Sequence, residues 1–453
     1  MLYRKIEKYI ENHLHSGTDR ILLIDGARQI GKSFIVREVG KRLFPNYIEV
    51  NMESDKVGEG LFAEARSVED FYLALSTMAG DRMGTKADTL VFIDEIQAYD
   101  HLLTLLKFLR EDGRFTFIAS GSLLGVTLKQ TSSIPLGSIE IVHMYPLDFE
   151  EFMMANGIGD LMIQTLYRKF QRRESLTESL HQKMLDLFRK YLLVGGLPEA
   201  VNEFLATRNM VRVRKVQKDV HHLYGVDASR YEAMHRRLKI LRIYDMIPSN
   251  LENKKKRMVA KDIEGKAGSR MSSYADEFDY LIASGIALEV KAVSKPCFPL
   301  VENSGKNLLK LYMNDVGILT GLFFGTNIKP VMDDISSINL GSVYESVVAQ
   351  ELRAHGYDLY YYDNKKIGEV DYLIDDMDHM SVMPLEIKSG KDYQVHRALN
   401  KFLKIEEYKV HEAFVLSNAR EVEVKNGITY MPIYYVSFFH KMDDGEVLLL
   451  GKI

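Results

Sequence analysis

The stretch GARQIGKSF, residues 26–34, constrains this chain more than any other. It follows the apolar run ILLID and leads into a helix-like segment, IVREVGKRL. Gly26, Gly31, Lys32 and Ser33 satisfy the pattern G-x-x-x-x-G-K-[ST]. Such a loop works because glycines let successive backbone N–H groups converge on phosphate oxygens, and a helix N-terminus adds partial positive charge. The reading predicts a phosphate cradle made by Gly26, Ala27, Arg28, Gln29, Ile30, Gly31, Lys32, Ser33 and Phe34. Lys32 would reach the β- and γ-phosphates, and the Ser33 hydroxyl would coordinate Mg²⁺. ATP and Mg²⁺ are the expected cofactors.

The surroundings agree. RILLID (20–25), YIEVNM (47–52), TLVFID (89–94), FTFIAS (115–120) and SIEIVHM (138–144) are short, β-rich and nearly continuously apolar. Strands buried on both faces of a parallel sheet read this way, and helical spacing between them, as in DHLLTLLKFLRED, predicts a three-layer α/β domain. LVFIDEIQ ends a strand in two acids. An adjacent acid pair there is costly unless neutralised, and a metal–phosphate site does this. Asp94 is expected to hold Mg²⁺ and Glu95 to act as general base. FIASGSLLG ends another strand in Ser120, Gly121 and Ser122. Ser120 can bond the attacking water or the γ-phosphate, although serines after strands are also common as plain structure.

At 453 residues, two to four domains of roughly 100–200 residues are expected. The expected division is 1–147 as the P-loop domain, 148–234 as a helical region, 235–312 as a winged-helix-like region and 313–453 as a further α/β domain. Within 235–312, three amphipathic stretches precede a ribbon, ALEVKAVSK…FPLVE…LLKLYMND, which is the order of a winged helix. Lys254, Lys255, Lys256 and Arg257 beside it offer either phosphate contacts or a solvated loop. The net charge of −4 excludes a polycation, so any nucleic-acid site must be a local patch. A single cysteine, Cys297, excludes an intramolecular disulfide and suits a reducing compartment. No window of about 18 apolar residues is present. The expectation is a cytoplasmic protein without a membrane span. Adjacent His221 and His222 face different sides of a helix and make a poor metal pair. The tyrosines of LYYYDN fit strand packing better than base stacking.

GARQIGKS, VFIDEIQ, SGSLLG, YPLDFEEF, GGLPEAV, LYMNDVGIL and GEVDYLI…PLEIKSG occur in this order along the chain. The series resembles a large group of prokaryotic ATP-binding proteins. Their N-terminal domain is an AAA-like P-loop ATPase, and their C-terminal region resembles the PD-(D/E)XK nuclease fold. The resemblance implies an ATPase core with a catalytic glutamate, a winged-helix insert and a restriction-endonuclease-like end. Many members carry AGR before the PL-F-EF element, whereas this chain has Ser138 in the arginine's place. The resemblance also implies a metal site of Asp371 in EVDYLI, Glu386 in PLEIKSG and the helical acid Glu345 in VYESVV. Lys388 would address the nucleophilic water. Glu386 and Lys388 share one strand face by period-two alternation. Two functions are expected: an ATPase that couples nucleotide state to DNA binding or processing, or an ATP-dependent signalling or interaction switch whose C-terminal fold is inert. ATP, DNA and a protein partner are the candidate partners, and the oligomeric state is open.

Overall fold

The structure, a computed structural model, describes residues 2–122, 124, 137–228, 234–253, 256–265, 270–304, 309–333, 335, 338, 340–390 and 392–441. Its first sheet holds β1 (Ile21–Asp25), β2 (Asn46–Asn51), β3 (Thr89–Asp94), β4 (Thr116–Gly121) and β5 (Ile139–His143), in the order β2-β3-β4-β1-β5. Every pairing in it is parallel. Successive strand side chains point to opposite faces. Leu22, Ile24, Phe92 and Ile118 therefore join one core, with Ile10 of α1 (Lys5–His15) and Ile35, Val36 and Val39 of α2 (Lys32–Leu43). Leu23, Val91, Ile93 and Ala119 join the other. That second core is closed by α3 (Val68–Ala79) and α4 (Asp100–Asp112), through Phe71, Leu75, Leu102 and Leu106. The parallel P-loop sheet expected of the N-terminal region is thus formed.

The helical segment contains α5 (Phe149–Ala155), α6 (Glu178–Val194), α7 (Pro198–Thr207) and α8 (Met210–Ala228). PLDFEEF is a helix start: the Asp148 side chain accepts from the Glu151 N–H at 2.8 Å, and the Asp148 N–H donates to Glu151 at 3.2 Å. This reciprocal box satisfies two orphan donors of the first turn. GGLPEA lets two segments touch. A side chain at Gly196 would meet the Leu147 carbonyl at 2.1 Å, and the Gly196 N–H donates to buried Asp315 at 2.6 Å.

After α9 (Met234–Glu252) and α10 (Ala275–Ala283) comes the antiparallel pair β6 (Ala287–Ala292) and β7 (Leu309–Met313). Helices then ribbon is the expected order, but the ribbon is no free-standing wing. β6 pairs in parallel with β8 (Tyr360–Asn364), Lys291 facing Tyr360. An unpaired strand edge leaves backbone groups unsatisfied, and pairing with β8 satisfies them. The sheet continues through β9 (Gly368–Asp376), β10 (Ser381–Lys388), β11 (Ala413–Ser417), β12 (Glu423–Lys425) and β13 (Ile428–Pro432). Its order is β12-β13-β11-β10-β9-β8-β6-β7, so one sheet runs across the boundary expected at 312/313. Tyr360, Tyr361 and Tyr362 are buried in it. Between β7 and β8 lie α11 (Val316–Phe324) and the buried helix α12 (Gly341–Ala354). Among the described residues no helix is long and apolar enough to cross a membrane.

Candidate functional site

β1 ends at Asp25, and the chain turns at once at Gly26, whose φ is +143°. A side chain there would stand 2.3 Å from the Met144 carbonyl, so only glycine fits. Lys32 opens α2 and is buried, its Nζ donating to the Gly26 and Ala27 carbonyls, each at 2.8 Å. Burial pushes its ammonium pKa down, against the opposing pull of Glu95, Asp25 and Asp94. The Ser33 hydroxyl donates to Asp94 Oδ2 at 2.8 Å, and Asn51 Nδ2 donates to the same oxygen at 3.0 Å. Ser120 donates to Asp94 Oδ1. It reaches because β4 lies between β3 and β1, so all three strand ends meet at the loop.

Glu95 sits in the left-handed region at φ +52°, uncommon for a residue with a side chain. Gln97 Nε2 donates to its carboxylate, as does the Ser122 hydroxyl at 2.9 Å. Burial alone would raise this carboxyl's pKa. Lys32, the Gln97 bond, Arg28 and the Ser122 bond outweigh it, so the value lies below the ordinary one. A cleft of about 440 Å³ is lined by Arg28, Lys32, Ser33, Phe34, Asn51 and Glu95, among others. A neighbouring, more apolar hollow of about 450 Å³ is lined by Leu2, Arg4, Phe34, Ile35, Pro198 and Asn202, among others.

Other regions grip the loop. Arg28 pairs with Asp227 of α8 at 2.8 Å, its Nε donates to Ser122 at 3.2 Å, and Tyr224 OH donates to the Arg28 carbonyl at 2.9 Å. Arg4 donates to the Ile30 carbonyl at 2.9 Å, to the Tyr145 carbonyl at 2.6 Å and to Glu151 at 3.1 Å. Arg4, Asn51 and Asp227 carry no motif, and the sequence offered no signal for them; Gln97 closes the VFIDEIQ stretch, but no role was read for it. Ser138 precedes β5, whose Ile139 is level with Ile21, while Asp25 is level with His143. Position 138 therefore lies at the opposite end of the strands from the phosphate loop. Arg28 is an arginine that the fold brings to the cleft.

The C-terminal set forms a second cluster. Asp371 on β9 accepts from the Ile387 N–H at 2.8 Å, and Lys388 Nζ donates to Glu386 at 2.8 Å. The other Glu386 oxygen is buried without a hydrogen-bond partner. Burial, then Glu386 and Glu345, raise the Asp371 pKa well above the carboxylate range. Burial also raises that of Glu386, although Lys388 opposes it. Buried Lys310 donates to Glu369 at 2.5 Å. Glu345 on α12 departs from the expected metal triad. It accepts from Lys256 and, at 3.1 Å, from Tyr312 OH. Asp371, Glu386 and Glu345 do not form a group whose ligand atoms all lie within 4.8 Å of one another. The basic stretch departs too: Lys256 turns inward to Glu345, and Arg257 lies 3.9 Å from Asp363. Lys254 and Lys255 lie outside the described residues. His221 bonds Tyr244 OH at 3.0 Å, a packing role.

Comparison with known proteins agrees at the N-terminal end. Residues 18–153 match an AAA domain, residues 185–329 a domain of unknown function (DUF8612) and residues 340–436 another (DUF4143). No curated protein matches the chain. Among solved structures, the chain is similar to the Walker-type ATPase PABY2304 of Pyrococcus abyssi, with 16% identity, 71% of this chain and 96% of that one covered, and a TM-score of 0.43. The ORC2 protein of Aeropyrum pernix gives 15% identity, 77% and 93% coverage and a TM-score of 0.33. The RuvB Holliday junction branch migration motor of Thermotoga maritima gives 13% identity, 63% and 89% coverage and a TM-score of 0.28. The AAA match coincides with the parallel sheet and its loop, so this end of the chain is an AAA-like P-loop nucleotide-binding domain.

Proposed function

We propose that the N-terminal domain binds Mg-ATP in the cleft beside Lys32 and hydrolyses it. The observation that carries this reading is the convergence of Ser33, Asn51 and Ser120 on Asp94, with Glu95 held by Gln97 and Ser122 at the same mouth. Ser33 and Asp94 are oxygen donors 2.8 Å apart at the loop, a set that fits Mg²⁺. When bound, the ion supplies positive charge against the phosphate oxygens. Lys32 exchanges the Gly26 and Ala27 carbonyls for phosphate oxygens. Glu95, ionised and aimed by Ser122, accepts the proton of the water whose oxygen attacks the γ-phosphorus. The bond to the β–γ bridging oxygen breaks, leaving ADP and phosphate. Arg28 supplies a further cation at this mouth. The apolar hollow at Leu2, Phe34, Ile35 and Pro198 suits the base.

The nucleotide state then reaches the rest of the chain. Arg28 ties the loop to Asp227, and Arg4 ties Ile30 to Glu151. The box formed by Asp148 and Glu151 meets α12, where Glu351 accepts from the Phe149 N–H at 2.9 Å, and His355, just past the helix, contacts Asp148 at 3.3 Å. The same helix carries Glu345. Coupling to DNA processing draws support from the neighbouring Asp371, Glu386 and Lys388, a set suited to Mg²⁺ or Mn²⁺. The alternative, a switch with an inert C-terminal fold, draws support from Lys256 sitting on Glu345.

The test measures ATP turnover with and without single- and double-stranded DNA, and cleavage of both with Mg²⁺ or Mn²⁺. Turnover lost in Glu95→Gln supports the ATPase. Cleavage lost in Glu386→Ala supports processing. ATP turnover with no DNA effect and no cleavage leaves the switch.

A further inference from the structure

We propose that Asp376, His379 and His411 form a binding site for one divalent transition cation of the zinc class, separate from both clusters above. One carboxylate oxygen and two imidazole nitrogens lie within 4.8 Å of one another. Asp376 ends β9, Ser381 begins β10, and His379 lies in the turn between them. His411 stands two residues before β11, which pairs in parallel with β10. Sheet pairing thus brings together residues that sequence spacing does not.

The geometry is close to a coordination set. His379 Nδ1 and Asp376 Oδ2 are 2.9 Å apart. Two neighbouring ligands of a tetrahedral cation with bonds near 2.0–2.1 Å stand about 3.3 Å apart. The His411 ring lies parallel to that of His379, with centroids 3.6 Å apart and planes 8° apart. Both rings are exposed, so a side-chain rotation of His411 brings its nitrogen onto a shared ion. Asp376 is the fixed member: it is buried, with Ser381 Oγ donating to Oδ2 at 3.2 Å and the His379 N–H to Oδ1 at 3.3 Å. Outer bonds of this kind orient a metal-binding carboxylate.

The donor set selects the class of ion. Two imidazoles and one carboxylate suit Zn²⁺, with Co²⁺ and Ni²⁺ as substitutes, whereas Mg²⁺ takes oxygen donors in octahedral geometry. Three protein ligands leave a fourth position for water or another donor. Asp371 lies five residues earlier on β9, about 17 Å away at 3.4 Å per residue. A bound ion here fastens the β9–β10 turn to the segment entering β11.

The experiment uses the full chain, freed of metal by chelator and titrated calorimetrically with Zn²⁺ in excess Mg²⁺. Co²⁺ is followed in parallel by visible absorption. One equivalent of Zn²⁺ should bind despite the Mg²⁺, and Co²⁺ should give the strong bands of a tetrahedral site. His411→Ala and His379→Ala, both at exposed positions, should keep the melting temperature of the metal-free protein. Each should weaken Zn²⁺ binding by at least about tenfold and abolish the Co²⁺ bands. Asp371→Asn should change neither. No Zn²⁺ binding by the wild type, undiminished binding in both histidine variants, or loss confined to Asp371→Asn would each overturn the proposal.

Discussion

Two clusters in this chain use the same materials, acids carried on or beside sheet strands and a nearby lysine, and arrange them oppositely. At the phosphate loop, Asp94 and Glu95 are each met by side-chain donors, and Lys32 bonds only backbone carbonyls beside an open cleft. In the second sheet, burial and neighbouring carboxylates raise the proton affinity of Asp371 and Glu386, and Lys256, Lys310 and Lys388 are already engaged by carboxylates. The difference teaches that a motif's residues are not yet a site. The first cluster is arranged to receive an anion with its cation; the second holds its charges against one another.

The largest expected effect tests the first half of that comparison. Lys32→Ala should remove most ATP affinity in calorimetry, whereas Asp371→Ala should leave it intact; equal binding by wild type and Lys32→Ala would break the contrast. Next, Glu95→Gln keeps the shape but accepts no proton. It should retain Mg-ATP and turn over roughly 10²–10⁴-fold more slowly. A wild-type rate would remove Glu95 from the chemistry.

The third prediction concerns the joint between the regions. Asp315 caps α11 and accepts from Gly196, and burial pushes its carboxyl pKa up to about 6. Since the folded value lies above the unfolded one, the native state holds the extra proton between them. This contribution is fully present below about pH 4 and declines by roughly 1.4 kcal/mol per pH unit as the pH rises toward 6. Asp315→Asn should remove that slope from denaturation curves measured across this range. An unchanged slope would assign it to other groups.

The smallest effect sharpens the second half. Lys256→Met removes the cation from Glu345 and leaves Tyr312 as its neutral donor. Stability should fall by about 1.5–3 kcal/mol, the size of a lost charged hydrogen bond. An unchanged melting temperature would mean that Lys256 covers Glu345 without holding it.

The first cluster was largely legible because its chemistry is local. Nine consecutive residues form the loop, Asp94 and Glu95 are adjacent, and all five strands of the sheet were visible as apolar runs. Such runs predict burial on both faces because a parallel sheet covered by helices has no wet side. The supports were invisible. Asn51, Asp227 and Arg4 act across separations that no spacing rule marks, and Arg4 reaches Glu151 147 residues away.

The second region shows the converse. D…E-x-K, the helical glutamate and the hairpin could each be read from sequence, but their environment could not. β6 has an edge, and only the assembled sheet supplies β8 to cover it. Lys256 reads as either a phosphate contact or part of a solvated loop, yet a buried carboxylate costs more than a solvated lysine gains by staying outside, so it turns in to Glu345. The sequence by itself determined the elements, the phosphate loop and its adjacent acids, because backbone conformation and apolar periodicity are short-range. Tertiary structure alone decided which charges are met, which edges are covered and which distant residues grip the loop. Those depend on burial, and burial is a property of the folded chain.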